Sequence, residues 1–238
     1  MHFVSGFVAV AIGAAVSSAS ADIPRLNLSL STLDDSFEHT DESPFDLFLG
    51  WNFTDKVDGS MADLGYSVST SNSLDSLVFG FNVVNTTSAL QTYILEADLP
   101  VGPYFGDTFV GGSIGATVTD GNLDGNATLS SLGSRSLFQG FVDGAEALSL
   151  VESPFSLSAG FVGGTAVLTP ESAGLPGLDS IYAGNQILDE LSIRLTFTLT
   201  AGDSATFGGV FAAQTIPSPS GIAILGMFVL NRRRRRRE

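Results

Sequence analysis

The chain has 238 residues, no cysteine and a formal net charge of −15. Six of its ten basic residues are the consecutive Arg232 to Arg237, so residues 22–215 keep only Arg25, Lys56, Arg135 and Arg194 against twenty-four acidic side chains, a balance of −20. That balance excludes nucleic acid and anionic lipid as partners, which need clustered lysine and arginine. The absence of cysteine excludes disulfides, thiolate metal sites and cysteine nucleophiles.

In chain order, Phe3 to Val16 is apolar apart from Ser5, and Ala19-Ser20-Ala21 has the small-x-small pattern that signal peptidase accepts. Ala19 and Ala21 therefore mark an expected cleavage site, with the mature chain starting at Asp22 and residues 1–21 forming the signal peptide. Residues 22–215 are enough for one domain with its own core. With His2 removed, His39 is the one histidine left, so a histidine-rich metal centre is not available.

The domain reads as strands nearly throughout. Leu26, Leu28 and Leu30 alternate with Asn27, Ser29 and Ser31. Phe45, Leu47, Leu49, Trp51 and Phe53 share one parity, as do Leu77, Phe79, Phe81 and Val83, and then Phe155, Leu157, Ala159 and Phe161. The clearest strand is Leu191 to Thr200, with Leu191, Ile193, Leu195, Phe197 and Leu199 on one side and Ser192, Arg194 and threonines on the other. Period-two alternation places one face on a core and the other in water, as antiparallel sheets do.

Turn residues recur at Asp58-Gly59, Asn85-Thr86-Thr87, Asp120 to Asn126, Asp143-Gly144, Gly163-Gly164 and Ala201-Gly202-Asp203. Short strands at that spacing imply an all-β fold, an antiparallel β-sandwich or jelly-roll-like ectodomain of roughly 8–12 strands. A short helix is expected around Leu178 to Leu188, and a long loop over Thr169 to Gly177. Fifteen of the eighteen phenylalanines belong to the domain. At strand parity they read as core filler, because phenylalanine has no polar handle for a sugar.

Four constellations could carry chemistry. Trp51 is a candidate sugar-stacking residue, although its parity with Leu49 and Phe53 also suits the core. Glu96-Ala97-Asp98 resembles the start of the E-x-D-x-x-E strand of jelly-roll glycosidases, but the third carboxylate should stand at Val101. Gly111-Gly112-Ser113-Ile114-Gly115 matches G-x-S-x-G, without the strand-to-helix turn or the late histidine that a nucleophile elbow requires. Asp120-Gly121-Asn122-Leu123-Asp124-Gly125-Asn126 fits the first half of a calcium loop, with Asp120, Asn122, Asp124 and Asn126 as oxygen donors. Its twelfth position is Ser131 rather than an acid, and an Asp/Asn/Gly hairpin is the alternative reading. Calcium is thus the one cofactor the sequence suggests. Asn-x-Ser/Thr sequons at Asn27, Asn52, Asn85 and Asn126 are expected by chance in so serine- and threonine-rich a domain.

Residues 216–238 close the chain with Pro217-Ser218-Pro219, an apolar stretch from Gly221 to Leu230, Asn231, and the run Arg232, Arg233, Arg234, Arg235, Arg236 and Arg237 before Glu238. A ten-residue helix at about 1.5 Å per residue covers roughly 15 Å of a ~30 Å hydrocarbon core, too little for a comfortable permanent anchor. The arginines would stay cytoplasmic and stop transfer. This layout resembles the PEP-CTERM sorting signal, in a planctomycete-like variant with Ser218 where the family has glutamate. The resemblance covers only the tail. It implies processing at Pro217-Ser218-Pro219 by an exosortase-type membrane enzyme, transient membrane association, and delivery to the cell surface or an exopolysaccharide-rich matrix.

Read together, these features describe an exported, non-catalytic cell-envelope or extracellular-matrix protein with an acidic β-sandwich. A carbohydrate- or calcium-binding module is the alternative. A secreted hydrolase is disfavoured because nucleophile, base and metal ligands do not assemble in the sequence.

Overall fold

The computed structural model describes residues 25–33, 35–42, 51–70, 76–101, 108–174, 181–182 and 186–215. The first ten strands are β1 (Arg25–Ser31), β2 (Ser36–Glu42), β3 (Trp51–Asp58), β4 (Ala62–Thr70), β5 (Ser76–Asn85), β6 (Gln91–Pro100), β7 (Thr108–Thr119), β8 (Ala127–Ser130), β9 (Phe138–Val142) and β10 (Ala145–Leu150). Six more follow: β11 (Ser156–Ala159), β12 (Thr165–Val167), β13 (Glu171–Ala173), β14 (Ile181–Tyr182), β15 (Glu190–Leu199) and β16 (Ser204–Thr215). Among the described residues there is no helix, and no helix is long and apolar enough to cross a membrane.

Two antiparallel sheets pack face to face. The first runs β10-β9-β15-β6-β1-β2, with β8 also on β15 and β11 on β8. The second runs β12-β7-β16-β5-β4-β3, with β13 and β14 also on β7. The alternation read from the sequence fixes which side chains enter the space between them. Leu191, Ile193, Leu195, Phe197 and Leu199 of β15 are all buried, as are Leu77, Phe79, Phe81 and Val83 of β5. The phenylalanines meet across the gap: Phe197 and Phe207 lie 4.7 Å apart between ring centroids, and Phe138 and Phe79 5.7 Å. Each such ring removes a large apolar area from water, of order 1.5–3 kcal/mol apiece.

Glycines shape this interior as much as the rings do. A Cβ on Gly140 of β9 would lie 2.6 Å from the Phe211 ring of β16, so the missing side chain is the recess that receives the ring. Gly112 of β7 makes the same room for Leu148 of β10. At the open edge, polar groups close the seam instead. The Tyr66 hydroxyl of β4 donates to Asp41 of β2 at 3.0 Å, and His39 packs beside the Tyr66 ring at 5.8 Å.

Register defines two poles. Crossovers at Asn85–Gln91, Thr119–Ala127 and Leu199–Ser204 gather at one end, where the Asn85 amide nitrogen donates to the carbonyls of Ala89, Leu199 and Thr200. Arg25, Pro100, Glu190 and Thr215 lie at the other, so both ends of the described domain leave from the same pole. The Asp143-Gly144 turn between β9 and β10 has φ of 49° and 73°, the paired positive values that a tight two-residue hairpin needs.

Three expectations are corrected. Among the described residues sixteen strands form where roughly eight to twelve are expected, in part because the edge of the second sheet is divided among β12, β13 and β14, all laid against the single long β7. Where a helix is expected over 178–188, the described residues are extended: Ile181–Tyr182 pair with Phe109–Val110, and Ile187 is buried. An open ladder on β7 offers that backbone partners a weakly periodic helix could not match. Within the expected loop at 169–177, Glu171–Ala173 form β13.

Candidate functional site

The described residues that the sequence singles out sort by how the sheets place them. Ser113 and its flanking glycines lie in the middle of β7, paired with both β16 and β13, with no turn beside them and with His39 on a different sheet. Trp51 begins β3 on the inward side and packs, partly buried, against the core. Asn85 is fully buried and ties the crossovers together, so that sequon is a structural asparagine.

The loop from Asp120 to Asn126 is held by its own side chains. Asp120 is buried, and its carboxylate accepts the backbone N–H groups of Gly125 and Gly163 at 2.9 Å and of Asp124 at 3.3 Å. Burial alone would raise its pKa, but these donors, joined by Leu123, outweigh burial and lower it. Asp124 accepts from Asn126 N–H and from the Asn122 amide, while Asn122 accepts the Asp124 N–H. The loop is not the expected hairpin, since β7 and β8 lie in different sheets. Three of the four oxygen donors named for calcium serve this crossover loop, and Asp120 also binds it to the Phe161–Gly164 turn. Among the described residues no group of three or more His, Asp or Glu side chains is arranged to hold a metal ion.

Glu96 and Asp98 belong to a cleft. They project from the outer face of β6, and β15 sets Glu190, Ser192 and Arg194 beside them through the pairs Arg194↔Glu96, Ser192↔Asp98 and Glu190↔Pro100. The cavity measures about 150 Å³ and is closed on the far side by Phe141 and Gly144. Arg194 Nε donates to Glu96 Oε1 at 2.5 Å, and its guanidinium stacks 4.7 Å from the centre of the Phe141 ring. Glu96 thereby has a positive partner. Asp98 has no such partner. Burial first, then the charges of Glu190 and Glu96, push its pKa up to about 6, against the smaller opposing effects of Ser192 and Arg194.

No family model matches the chain, and no curated protein matches it. The site must therefore be weighed on its chemistry. A carboxyl group whose pKa is raised, beside a second carboxylate paired with an arginine, is the kind of contrast an acid–base pair uses. Yet the cleft is small, and nothing in it offers an aromatic platform for a sugar, because the Phe141 face is taken by Arg194.

Sequence reading missed this grouping because Glu190 lies 92 positions from Asp98, and only the β6–β15 register brings it in. The outer face of the second sheet contrasts with it. Gly115, Gly208, Gly80 and Ser67 stand in one cross-strand row, beside a second row of Thr117, Thr206, Asn82 and Gly65. At its β3–β4 edge lies a charged group, Lys56 with Asp58 and Asp63. The cleavage pair Ala19 and Ala21, the Pro217-Ser218-Pro219 motif and the six arginines lie outside the described residues.

Proposed function

We propose that this is an exported, non-catalytic protein of the cell envelope or extracellular matrix, delivered through its carboxyl-terminal signal by an exosortase-type enzyme. The observation that carries the reading is the tripartite tail: Pro217-Ser218-Pro219, ten apolar residues, six arginines. An apolar start ending in Ala19-Ser20-Ala21 stands at the other terminus, as two-signal export requires. The fold suits the role. An acidic sandwich stays dissolved and repels its own copies, and it needs no disulfide to hold its core. Both described ends leave from one pole, which turns the crossover loops away from the point of attachment.

A second reading is favoured by one feature. The neutral glycine, threonine and asparagine rows on the second sheet suit contact with an uncharged polysaccharide, which fits a matrix location equally well.

Mass spectrometry of the protein recovered from the cell envelope tests the first reading. The mature chain is expected to begin at Asp22 and to lack Arg232 to Arg237. Recovery of the intact chain, Glu238 included, free in the cytosol would overturn it. Retention of the exported domain on neutral polysaccharide, lost on Asn82→Asp with Thr206→Asp, would favour the second.

A further inference from the structure

The cleft between β6 and β15 sits where residues 186–190 join the sandwich. That segment is fixed by two devices. Ile187 is buried, and the Asp143 carboxylate accepts the backbone N–H groups of Leu188 and Asp189 at 2.8 Å and of Glu190 at 3.1 Å. Asp189 in turn accepts the Val101 N–H at 2.8 Å through its carbonyl. Glu190 is therefore delivered to the rim of the cleft with its backbone already committed, and its carboxylate has to share the space with Asp98.

The charged groups facing Asp98 are few. From β6 comes Glu96, and from β15 come Glu190 and Arg194. β1 presents Asn27 and Ser29 opposite Asp98 and Glu96, while β9 and its turn line the cleft with Phe141 and Gly144. The one arginine lining the cleft is bound to Glu96, which leaves the Asp98 and Glu190 side chains sharing the joint without a cation of their own, and the charge of Glu190 acts to raise the Asp98 pKa.

We propose that this cleft is an acid-tightened clasp: uptake of one proton between Asp98 and Glu190 removes the repulsion and draws segment 186–190 onto β6. The sign follows from linkage. A carboxyl that binds its proton more tightly in the folded state than in the unfolded one adds stability as pH falls between the two values. For a folded value near 6 against 3.8 unfolded, folding would be favoured about tenfold more at pH 5 than at pH 7.5. Partial exposure of the cleft reduces this to several-fold. The carboxylates of Asp120 and Asp143, whose pKa values are lowered, withdraw their own support only at more acidic pH.

Hydrogen exchange on the full chain, corrected for intrinsic rates, reads the clasp directly. Protection of the Leu188, Asp189, Glu190 and Val101 amides is expected to rise several-fold from pH 7.5 to pH 5. Asp98→Asn should show high protection at both values and lose the slope. Glu190→Gln, a milder change at the rim, should flatten the slope and raise protection at pH 7.5. Wild-type protection that stays level or falls on acidification sinks the proposal, as does a Glu190→Gln chain that keeps the wild-type slope.

Discussion

The recess at Gly140 offers the sharpest test of how the two sheets are matched. Adding a methyl group there places a carbon 2.6 Å from Cε2 and 2.7 Å from Cδ2 of Phe211, well inside van der Waals contact. Phe211 is itself fully buried, so it has nowhere to retreat. Gly140→Ala should therefore cost about 1–3 kcal/mol by overpacking. Phe211→Leu alone leaves a gap over the glycine and should cost about 1.5 kcal/mol. Combined, the new methyl group occupies part of the space the ring gives up, and the double variant should be more stable than the sum of the two changes by about 1 kcal/mol. Urea denaturation of the four proteins, analysed as a double-mutant cycle, measures that difference. Additivity within about 0.5 kcal/mol would mean the two residues do not share the space, and the packing argument would fall.

Two further substitutions at buried polar residues should move stability in opposite directions. Asn85→Ala removes an amide that serves three carbonyls and a carbonyl that accepts from Thr87, so a loss of at least about 2 kcal/mol is expected in denaturant melts. Thr196→Val replaces a fully buried hydroxyl that lacks a hydrogen-bond partner with a methyl group of the same shape, and should raise the thermal midpoint by the equivalent of about 1 kcal/mol. A fall in the midpoint would show that the hydroxyl is satisfied after all.

Much of the sandwich was legible because β15, β5 and β1 alternate without interruption, and a half-buried sheet leaves no other arrangement for such a run. Asp143-Gly144 likewise announced its turn, since few dipeptides tolerate two positive φ values in succession. Where reading failed, the cause was local or distant competition. Phe161 shares the parity of Leu157 and Ala159, but the strand stops at Ala159, and the ring lies exposed in the following turn. The extended segment at Ile181–Tyr182 depends on an unfilled ladder on β7, a property of the fold rather than of those residues. The cleft needed the β6–β15 register before Glu190 could be counted with Asp98. Gly140 looked like any glycine in a strand until Phe211 was found against it.

The position of β16 has a mechanical consequence. This strand carries the chain out at Thr215 and is flanked along its length by β5 on one side and β7 on the other, with twelve residue pairs to β7 alone. If the carboxyl end is tethered and the far loops grip something, tension runs along the strand and strains both ladders in shear, many bonds at once. Pulled instead against the amino end, at the same pole, the load falls on the first few bonds in turn, and the strand can be peeled. The domain should resist traction in the first direction far better than in the second.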